Sequence, residues 1–154
     1  MKKVLADFTK EYFNADNHTH KEIPFDVPEG LKEIRIKIAY SPKDFDDETA
    51  SLAIVREVLK KDAWYAPFEE KDLKYFLPLK NHISLSVDSP DGWLGTAHRH
   101  APVQEHFINE RESAYGFRPA PVTSGKWKIT LSMNCIITGK VTVRVIVEGS
   151  DEIL

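Results

Sequence analysis

The chain of 154 residues lacks several features that would point to a compartment or a membrane. With Cys135 as its single cysteine it cannot form an internal disulfide, so a reducing compartment is expected. No segment approaches the roughly 18 consecutive apolar residues of a membrane span. Asp7, Lys10 and Glu11 interrupt the apolar run that a secretion signal needs after Met1. These absences predict a cytoplasmic protein that makes no contact with a membrane.

The chain also has no excess of basic residues. Lys and Arg number 21 against 24 Asp and Glu, which leaves a formal net charge of -3. A nucleic-acid-binding protein normally has a basic surplus or a basic stripe, so nucleic acid is not an expected partner. The length is that of one ordinary domain, and we expect residues 1–154 to form a single one.

Recognisable catalytic motifs are missing as well. The sequence has no glycine-rich phosphate loop, no nucleophile elbow and no His-Glu-x-x-His segment. Cys135 falls in a strand-like segment with no helix N-terminus predicted beside it, so we interpret it as a small buried hydrophobic residue. The sequence therefore predicts a protein that is not an enzyme and needs no cofactor.

Alternation of apolar and polar residues dominates what is present. In residues 31–40 the side chains of Ile34, Ile36, Ile38 and Tyr40 would share one face of a strand. The same period of two recurs in residues 83–87, 127–133 and 141–147, and shorter candidates are residues 4–9, 23–27 and 103–108. The first of these short candidates would also suit a helical turn. Trp127, a large aromatic residue at a strand start, is expected to pack between two sheets.

Turn residues separate these segments. Pro28-Glu29-Gly30 and Ser89-Pro90-Asp91-Gly92 have the composition of tight turns. We interpret Thr138-Gly139-Lys140 as a hairpin that joins the last two strands. Six to eight short strands with such turns predict a mostly β fold, namely an antiparallel β-sandwich that is jelly-roll-like.

A helical insertion interrupts this pattern at about residues 42–80. Asp46 or Asp47 can cap a helix that runs to about Lys61, and Leu52, Val55 and Leu59 form its apolar stripe. The segment Ala63-Trp64-Tyr65-Ala66-Pro67-Phe68 would end this helix and cover a mouth of the sandwich, and a helical turn could follow at residues 69–75. We expect the insertion to pack over one end of the sheets.

The candidate ligand-binding residues are basic and aromatic and lie in the long connections of the second half of the chain. They are Trp93, His98, Arg99, His100, Tyr115 and Arg118, and Arg111 could join them. If these connections meet at one rim, they would suit a sugar or an anion, because the Arg fork matches planar anions. Alternatively, Glu105, Glu110 and Glu112 pair with these basic residues in surface salt bridges, each worth roughly 0–1 kcal/mol.

Metal binding is a weaker alternative. His18 and His20, like His98 and His100, are two residues apart, which on a strand places both rings on one side. No carboxylate or thiol stands at an established ligand spacing beside either pair, and surface loops explain both. Asp26, Asp88 and Asp91 are likewise too few to predict calcium, which takes about 6–8 oxygen ligands.

Several segments occur in an order that points to a family. They are the segment 20–30, a strand ending at Tyr40, Asp88-Ser89-Pro90-Asp91-Gly92-Trp93, Tyr115-Gly116-Phe117-Arg118-Pro119 and Ser124-Gly125-Lys126-Trp127. In this order they resemble the β-sandwich accessory domain that precedes the catalytic domain in some bacterial metal-dependent phosphoesterases of the polymerase-and-histidinol-phosphatase type. The resemblance implies a jelly-roll-like module without catalysis of its own, since the family's metal ligands lie in the downstream domain. A separate phosphoesterase chain is then one possible partner.

Three functions follow as hypotheses. The first is a non-catalytic binding or interaction module, for a partner protein or through self-association. The second is a small-ligand binding domain for a sugar or an anion. The third is a histidine-based metal-binding protein or metalloenzyme that uses His18, His20, His98 and His100.

Overall fold

Two four-stranded antiparallel sheets form the body of the protein in a computed structural model that describes residues 1–62 and 67–154. The strands are β1 (Lys2–Phe13), β2 (His20–Val27), β3 (Glu33–Ser41), β4 (Asp44–Phe45), β5 (Leu79–Lys80), β6 (His82–Ser89), β7 (Gly92–Ala97), β8 (Val103–Asn109), β9 (Gly125–Cys135) and β10 (Lys140–Ser150). The helices are α1 (Glu48–Lys61) and two 3₁₀ segments, Asn14–Asp16 and Glu70–Phe76. Sheet 1 has the order β1-β10-β3-β8 and sheet 2 the order β2-β9-β6-β7, while β4 and β5 pair separately.

This strand order is that of a jelly roll. We leave out β4 and β5 and number the eight remaining strands 1 to 8 along the chain. Sheet 1 then has the strand order 1-8-3-6, and sheet 2 has the order 2-7-4-5. The prediction of an antiparallel, jelly-roll-like sandwich is therefore confirmed. Residues 4–9 lie within β1, so the strand interpretation of this segment was the right one.

One predicted connection was wrong. Thr138-Gly139-Lys140 is not a hairpin, because β9 belongs to sheet 2 and β10 to sheet 1. The connection between them crosses from one sheet to the other, and the backbone N–H of Asn14 donates to Gly139 O at 3.2 Å. Turn-like composition alone does not distinguish a hairpin from a crossing between sheets.

The core lies between the sheets and follows the predicted alternation. Ile34, Ile36 and Ile38 of β3 are almost completely buried, and every second residue of β10, from Val141 to Val147, is fully buried. Sheet 2 contributes the facing apolar residues, which are Ile83, Leu85, Val87, Ile129, Leu131 and Met133. Trp127 is 0% exposed, and its Nε1 donates to Thr123 O at 2.8 Å, so the expected packing of this ring between the sheets is confirmed.

The helical insertion is present, but its apolar contacts differ from the prediction. Asp47 caps α1 by accepting a hydrogen bond from Ala50 N at 2.9 Å. Val55 and Leu59 pack with Leu73 of the second 3₁₀ helix in a small cluster separate from the sandwich core. The insertion therefore buries its apolar stripe mainly against itself and not over the ends of the sheets. Residues 63–66 of the predicted covering segment lie outside the described residues.

Asn81 ties the insertion to the sandwich. Its side chain is buried, and Nδ2 donates to Pro42 O at 2.8 Å and to Thr138 Oγ1 at 2.7 Å. Its Oδ1 accepts from Ile137 N at 2.8 Å. One amide thus joins the start and end of the insertion to the β9–β10 connection.

None of the helices in residues 1–62 and 67–154 has the length and apolar character needed to cross a membrane.

Replacing Trp127 by Ala should lower the free energy of unfolding by about 3–5 kcal/mol, because it opens a cavity between the sheets and leaves Thr123 O without its donor. Urea denaturation followed by circular dichroism measures this loss. Trp93→Ala is the matched control: Trp93 is 59% exposed, so its replacement should change stability by no more than about 0.5 kcal/mol. Equal losses for the two variants would contradict the core position of Trp127.

Candidate binding site

The free edge of β7 is covered by residues 115–118. Thr96 N donates to Gly116 O at 3.1 Å, and Arg118 N donates to Leu94 O at 2.8 Å. Gly95 has φ +141°, a conformation that L side chains rarely adopt, and a Cβ atom there would overlap the Gly116 carbonyl oxygen. Glycine at position 95 therefore permits the close approach, which brings Tyr115 and Arg118 beside β7.

Three histidine rings pack together where β6 begins and β7 ends. His82 is the first residue of β6, while His98 and His100 follow the last residue of β7. The ring centroids of His82 and His98 are 4.3 Å apart in an edge arrangement, and those of His82 and His100 are 4.6 Å apart and nearly parallel. We call His82, His98 and His100 the histidine cluster. Antiparallel pairing of β6 with β7 explains it, because that pairing places the start of one strand beside the end of the other.

The charged groups that act on His82 are all cationic. Burial lowers the pKa of His82, and the nearby His98, His100 and Lys43 lower this pKa further, whereas a hydrogen bond to the backbone of Arg99 opposes the shift. The Nε2 atom of His82 is buried and has no hydrogen-bond partner among the described residues. The neutral form of His82 is thus favoured, and no carboxylate compensates its charge in the described residues.

Lys43 and Cys135 lie at the same end of sheet 2. The Nζ of Lys43 donates to Asn81 O at 2.6 Å and to the Tyr40 hydroxyl at 3.0 Å. Cys135 is the strand partner of His82 and is half-buried, so the expectation of a fully buried residue was only partly right. Burial raises the pKa of the Cys135 thiol, although the charge of Lys43 acts in the opposite direction. This thiol is therefore poorly suited to act as a nucleophile.

A row of polar side chains runs from the histidine cluster across the outer face of sheet 2. His20 lies beside Ser132, Ser132 beside Ser84, and Ser84 beside His98. The Nδ1 of His20 is 2.8 Å from Ser132 Oγ, and the Nδ1 of His98 is 2.7 Å from Ser84 Oγ. Ser84 Oγ also accepts from Asn134 Nδ2 at 2.6 Å, so its own proton is free for His98 Nδ1. That arrangement leaves Nε2 of a neutral His98 as a donor.

A buried side chain holds the loop after β7 against the sandwich. Gln104 Nε2 donates to Ala101 O at 2.6 Å, and Gln104 Oε1 accepts from His106 Nε2 at 2.9 Å. Arg99 extends from this loop and donates through Nη2 to Tyr115 O at 2.8 Å. Burial lowers the pKa of His106 to about 4, with a smaller contribution from the charge of Arg99. The loop that carries His98, Arg99 and His100 therefore rests on an uncharged imidazole.

The six candidate binding residues all lie along β7, in two groups. His98, Arg99, His100 and Tyr115 are at one end, and Trp93 and Arg118 are at the other, beside Asp88 and Leu94 respectively. The two ends are roughly 13 Å apart, since Asp88 and Ser84 are four residues apart on β6. Trp93 and Tyr115 are 59% and 90% exposed. The prediction of a common rim thus corresponds to a strip along β7.

Two details of the sequence interpretation were wrong. Arg111 is not at the rim, because its N–H binds Asn109 Oδ1 and its side chain lines a depression at the far end of sheet 1. Glu105 pairs with Arg35 at 3.0 Å and not with the basic residues of the rim. Arg99, Arg111 and Arg118 have no carboxylate within 4.0 Å in the described parts of the chain, whereas the other arginines all do. The alternative that surface salt bridges neutralise the rim is therefore not what the structure contains.

The two histidine pairs flank the polar row from opposite edges. His18 has a positive φ of 60° and precedes β2, so the same-side rule for strands does not apply to that pair. His18, His20 and Asn134 line a depression of about 210 Å³. Within residues 1–62 and 67–154, no three His, Cys, Asp or Glu side chains are arranged to hold a metal ion.

His82, Lys43, Ser84 and Gln104 belong to the site but were not predicted from the sequence. Ser84 and His82 were visible as outward positions of an alternating strand. Their proximity to His98 follows from the pairing register of β6 and β7, which shifts between Val87 and Asp88.

No family model matches the chain, and no curated protein matches its sequence significantly.

Replacing Gly95 by Ala should displace residues 115–118 from β7. Gly92→Ala is the matched control, since Gly92 also has a positive φ, +125°, but a Cβ there meets nothing within 4 Å. Because only the first variant adds a clash, it should lose about 1–3 kcal/mol more stability than the second. Hydrogen exchange should show lost protection at the Thr96 and Arg118 amides in Gly95→Ala alone. Unchanged protection there would refute the proposed role of Gly95.

His106 should make the fold sensitive to acid. Because its folded-state pKa is about 4, below the usual value of 6.5, the unfolded chain takes up the proton first as pH falls. Between pH 7 and pH 4.5 the wild type should therefore lose about 2 kcal/mol more stability than His106→Phe. Urea denaturation at both pH values measures the difference, and Trp93→Ala, which removes an exposed ring without a titrating group, should keep the pH dependence of the wild type. Equal pH dependence of wild type and His106→Phe would contradict this expectation.

Proposed function

We propose that this protein is a non-catalytic binding module whose ligand lies along β7 on the outer face of sheet 2. The observation that carries the proposal is the row of hydrogen-bonding side chains there, from His20 through Ser132 and Ser84 to His98, with Trp93 and Tyr115 exposed along the edge at β7. Convergent hydroxyl, amide and imidazole groups next to aromatic rings suit a sugar or an anion.

The outer face of sheet 1 offers a useful contrast. It has a larger depression, about 320 Å³, but Lys37 and Arg144 in its lining are paired with Glu148 and Asp7. Charges that are already compensated offer little to a ligand. On sheet 2 the ion pairs of Lys126 and Lys128 are with residues of β2, across β9 from β6 and β7. The β7 strip therefore retains two arginines, Arg99 and Arg118, without an ion pair in the described residues, whereas the basic residues that line the depression on sheet 1 are paired.

A protein partner or self-association is the second candidate. It is favoured by Ile54 and Val58 of α1, which are 37% and 54% exposed and line an apolar depression of about 220 Å³ on the insertion. The resemblance to an accessory domain of phosphoesterases fits a protein partner equally well and stays a prediction. Sedimentation at high protein concentration distinguishes self-association from a monomer.

The proposed ligand binding along β7 can be tested with a panel of neutral sugars, sugar acids and sugar phosphates. Binding is measured by thermal shift and by backbone amide NMR. A ligand at 100 times its Kd adds about 2.7 kcal/mol, which raises Tm by roughly 5–10 °C in a domain of this size. The amide shifts should map to β6, β7 and residues 115–118. Trp93→Ala should weaken binding of a sugar without lowering stability.

Tyr75→Ala is the control for this experiment, because Tyr75 is an exposed aromatic residue on the insertion, 86% accessible. It should leave ligand binding unchanged. Amide shifts that map to the outer face of sheet 1, or no response to any member of the panel at millimolar concentration, would count against the β7 strip as a binding surface.

A further inference from the structure

We propose that the histidine cluster, together with Arg99 and Lys43, is a binding site for an oxyanion, such as a sulfate, phosphate or carboxylate group, and that the anion binds together with a proton. This inference rests on the proposed binding function and specifies the chemical class of the ligand at one end of the β7 strip. It involves two residues, His82 and Lys43, that the sequence did not associate with the rim.

The first argument is the sign of the local charge. The groups facing His82 are His98 and His100 from the connection after β7, and Lys43 from the connection after β3. Arg99 belongs to the same loop. No carboxylate lies within 4.0 Å of any of these five residues in the described portion of the chain, although 14 ion pairs are formed elsewhere. The positive charges of Lys43 and Arg99, which have no counter-charge there, are electrostatically complementary to an anion.

The second argument is the supply of hydrogen-bond donors. Arg99 donates through Nη2 to Tyr115 O at 2.8 Å, which fixes its side chain against residues 115–118 and leaves its other N–H groups available. The Nε2 of His82 has no partner in the described residues, and when the ring is protonated this atom becomes a donor without an acceptor. An oxyanion supplies several acceptors in one group, and donors of this kind form charge-assisted hydrogen bonds with it.

The third argument concerns the proton. His98 and His100, packed at 4.3 and 4.6 Å from His82, repel the charged form of its ring, so they disfavour protonation of His82. A bound anion reverses this balance, because it stabilises the imidazolium form. Of the other neighbours, Cys135 has a thiol whose pKa is raised, and His106 behind Gln104 stays neutral above pH 5. Protons taken up on anion binding therefore belong to the histidine cluster, and the affinity should rise as pH falls.

Sulfate is the best probe, since it stays doubly charged between pH 6.0 and 7.5 whereas the second ionisation of phosphate falls in this range. Sulfate, phosphate and glucuronate are titrated into the full chain, and the ring nitrogens of all six histidines are followed by ¹H–¹⁵N correlation NMR. We expect saturable shifts at the histidine cluster and a Kd for sulfate that is up to about tenfold lower for each unit fall in pH, the slope for one proton. Comparing the three anions shows which oxyanion geometry the site prefers.

Arg99→Gln and His100→Gln should each weaken sulfate binding by about tenfold, the loss expected for one charge-assisted hydrogen bond. Arg111→Gln is the matched control and should leave the Kd unchanged, because Arg111 also lacks an ion pair in the described residues but lines a depression at the far end of sheet 1. Circular dichroism and thermal unfolding establish that the variants are folded.

The outcomes separate this inference from the proposed function. Binding of neutral sugars at β7 without any saturable response to 50 mM anion at pH 6.0 would overturn the oxyanion site and leave the binding module standing. No response to either class would remove both. Anion binding with an affinity for sulfate that does not depend on pH would refute the coupled proton. Stoichiometric shifts with zinc chloride but not with sulfate would identify the cluster as a metal site instead.

Discussion

Burial of one face of every central strand is the constraint on which this molecule depends. Side chains on a strand alternate between two faces, so placing Leu85 and Leu131 in the core forces Ser84 and Ser132 to the opposite, outer face of sheet 2, where Ser84 is only 2% exposed. A shift of the strand register by one residue would exchange the leucines with the serines and place hydroxyl groups between the sheets. The same requirement that builds the core therefore also arranges the polar row outside it. Core and binding surface are two faces of one pattern.

The proposed binding surface is assembled at the edge of a sheet, where one side of the last strand has no strand partner. Residues 115–118 pair with β7 at Gly95 and occupy backbone groups that would otherwise be open to another strand. Beyond the end of β7 the chain continues into a loop that is anchored by Gln104 and the uncharged His106. Together these contacts gather basic and aromatic side chains that are distant in sequence. Among the described residues they place no acidic partner beside Arg99, so the strip keeps an uncompensated positive charge there.

The predictions succeeded where the signal was local. Alternation located β3, β6, β9 and β10, and the Asp47 cap located the start of α1. They failed where the partner of a segment mattered. Thr138-Gly139-Lys140 has the composition of a hairpin turn but joins different sheets, and the stripe of α1 found its partner in Leu73, not in the sandwich. For the candidate site, six rim residues were proposed by residue type and stay a prediction, whereas His82 was not proposed, since its approach to His98 depends on a register shift between β6 and β7.

The sequence by itself determined which residues alternate, where turns fall and where the inserted helix begins, because each of these rests on interactions within a few neighbouring residues. Only the tertiary structure decided the order of strands, the meeting of His82 with His98 and His100, and the absence of a carboxylate near Arg99 in the described chain. The reason is that pairing between distant strands is set by backbone hydrogen bonds, which are the same for every residue type. The side chains of a strand determine which of its faces is buried. The connections that cross between the two sheets determine which strands become its neighbours.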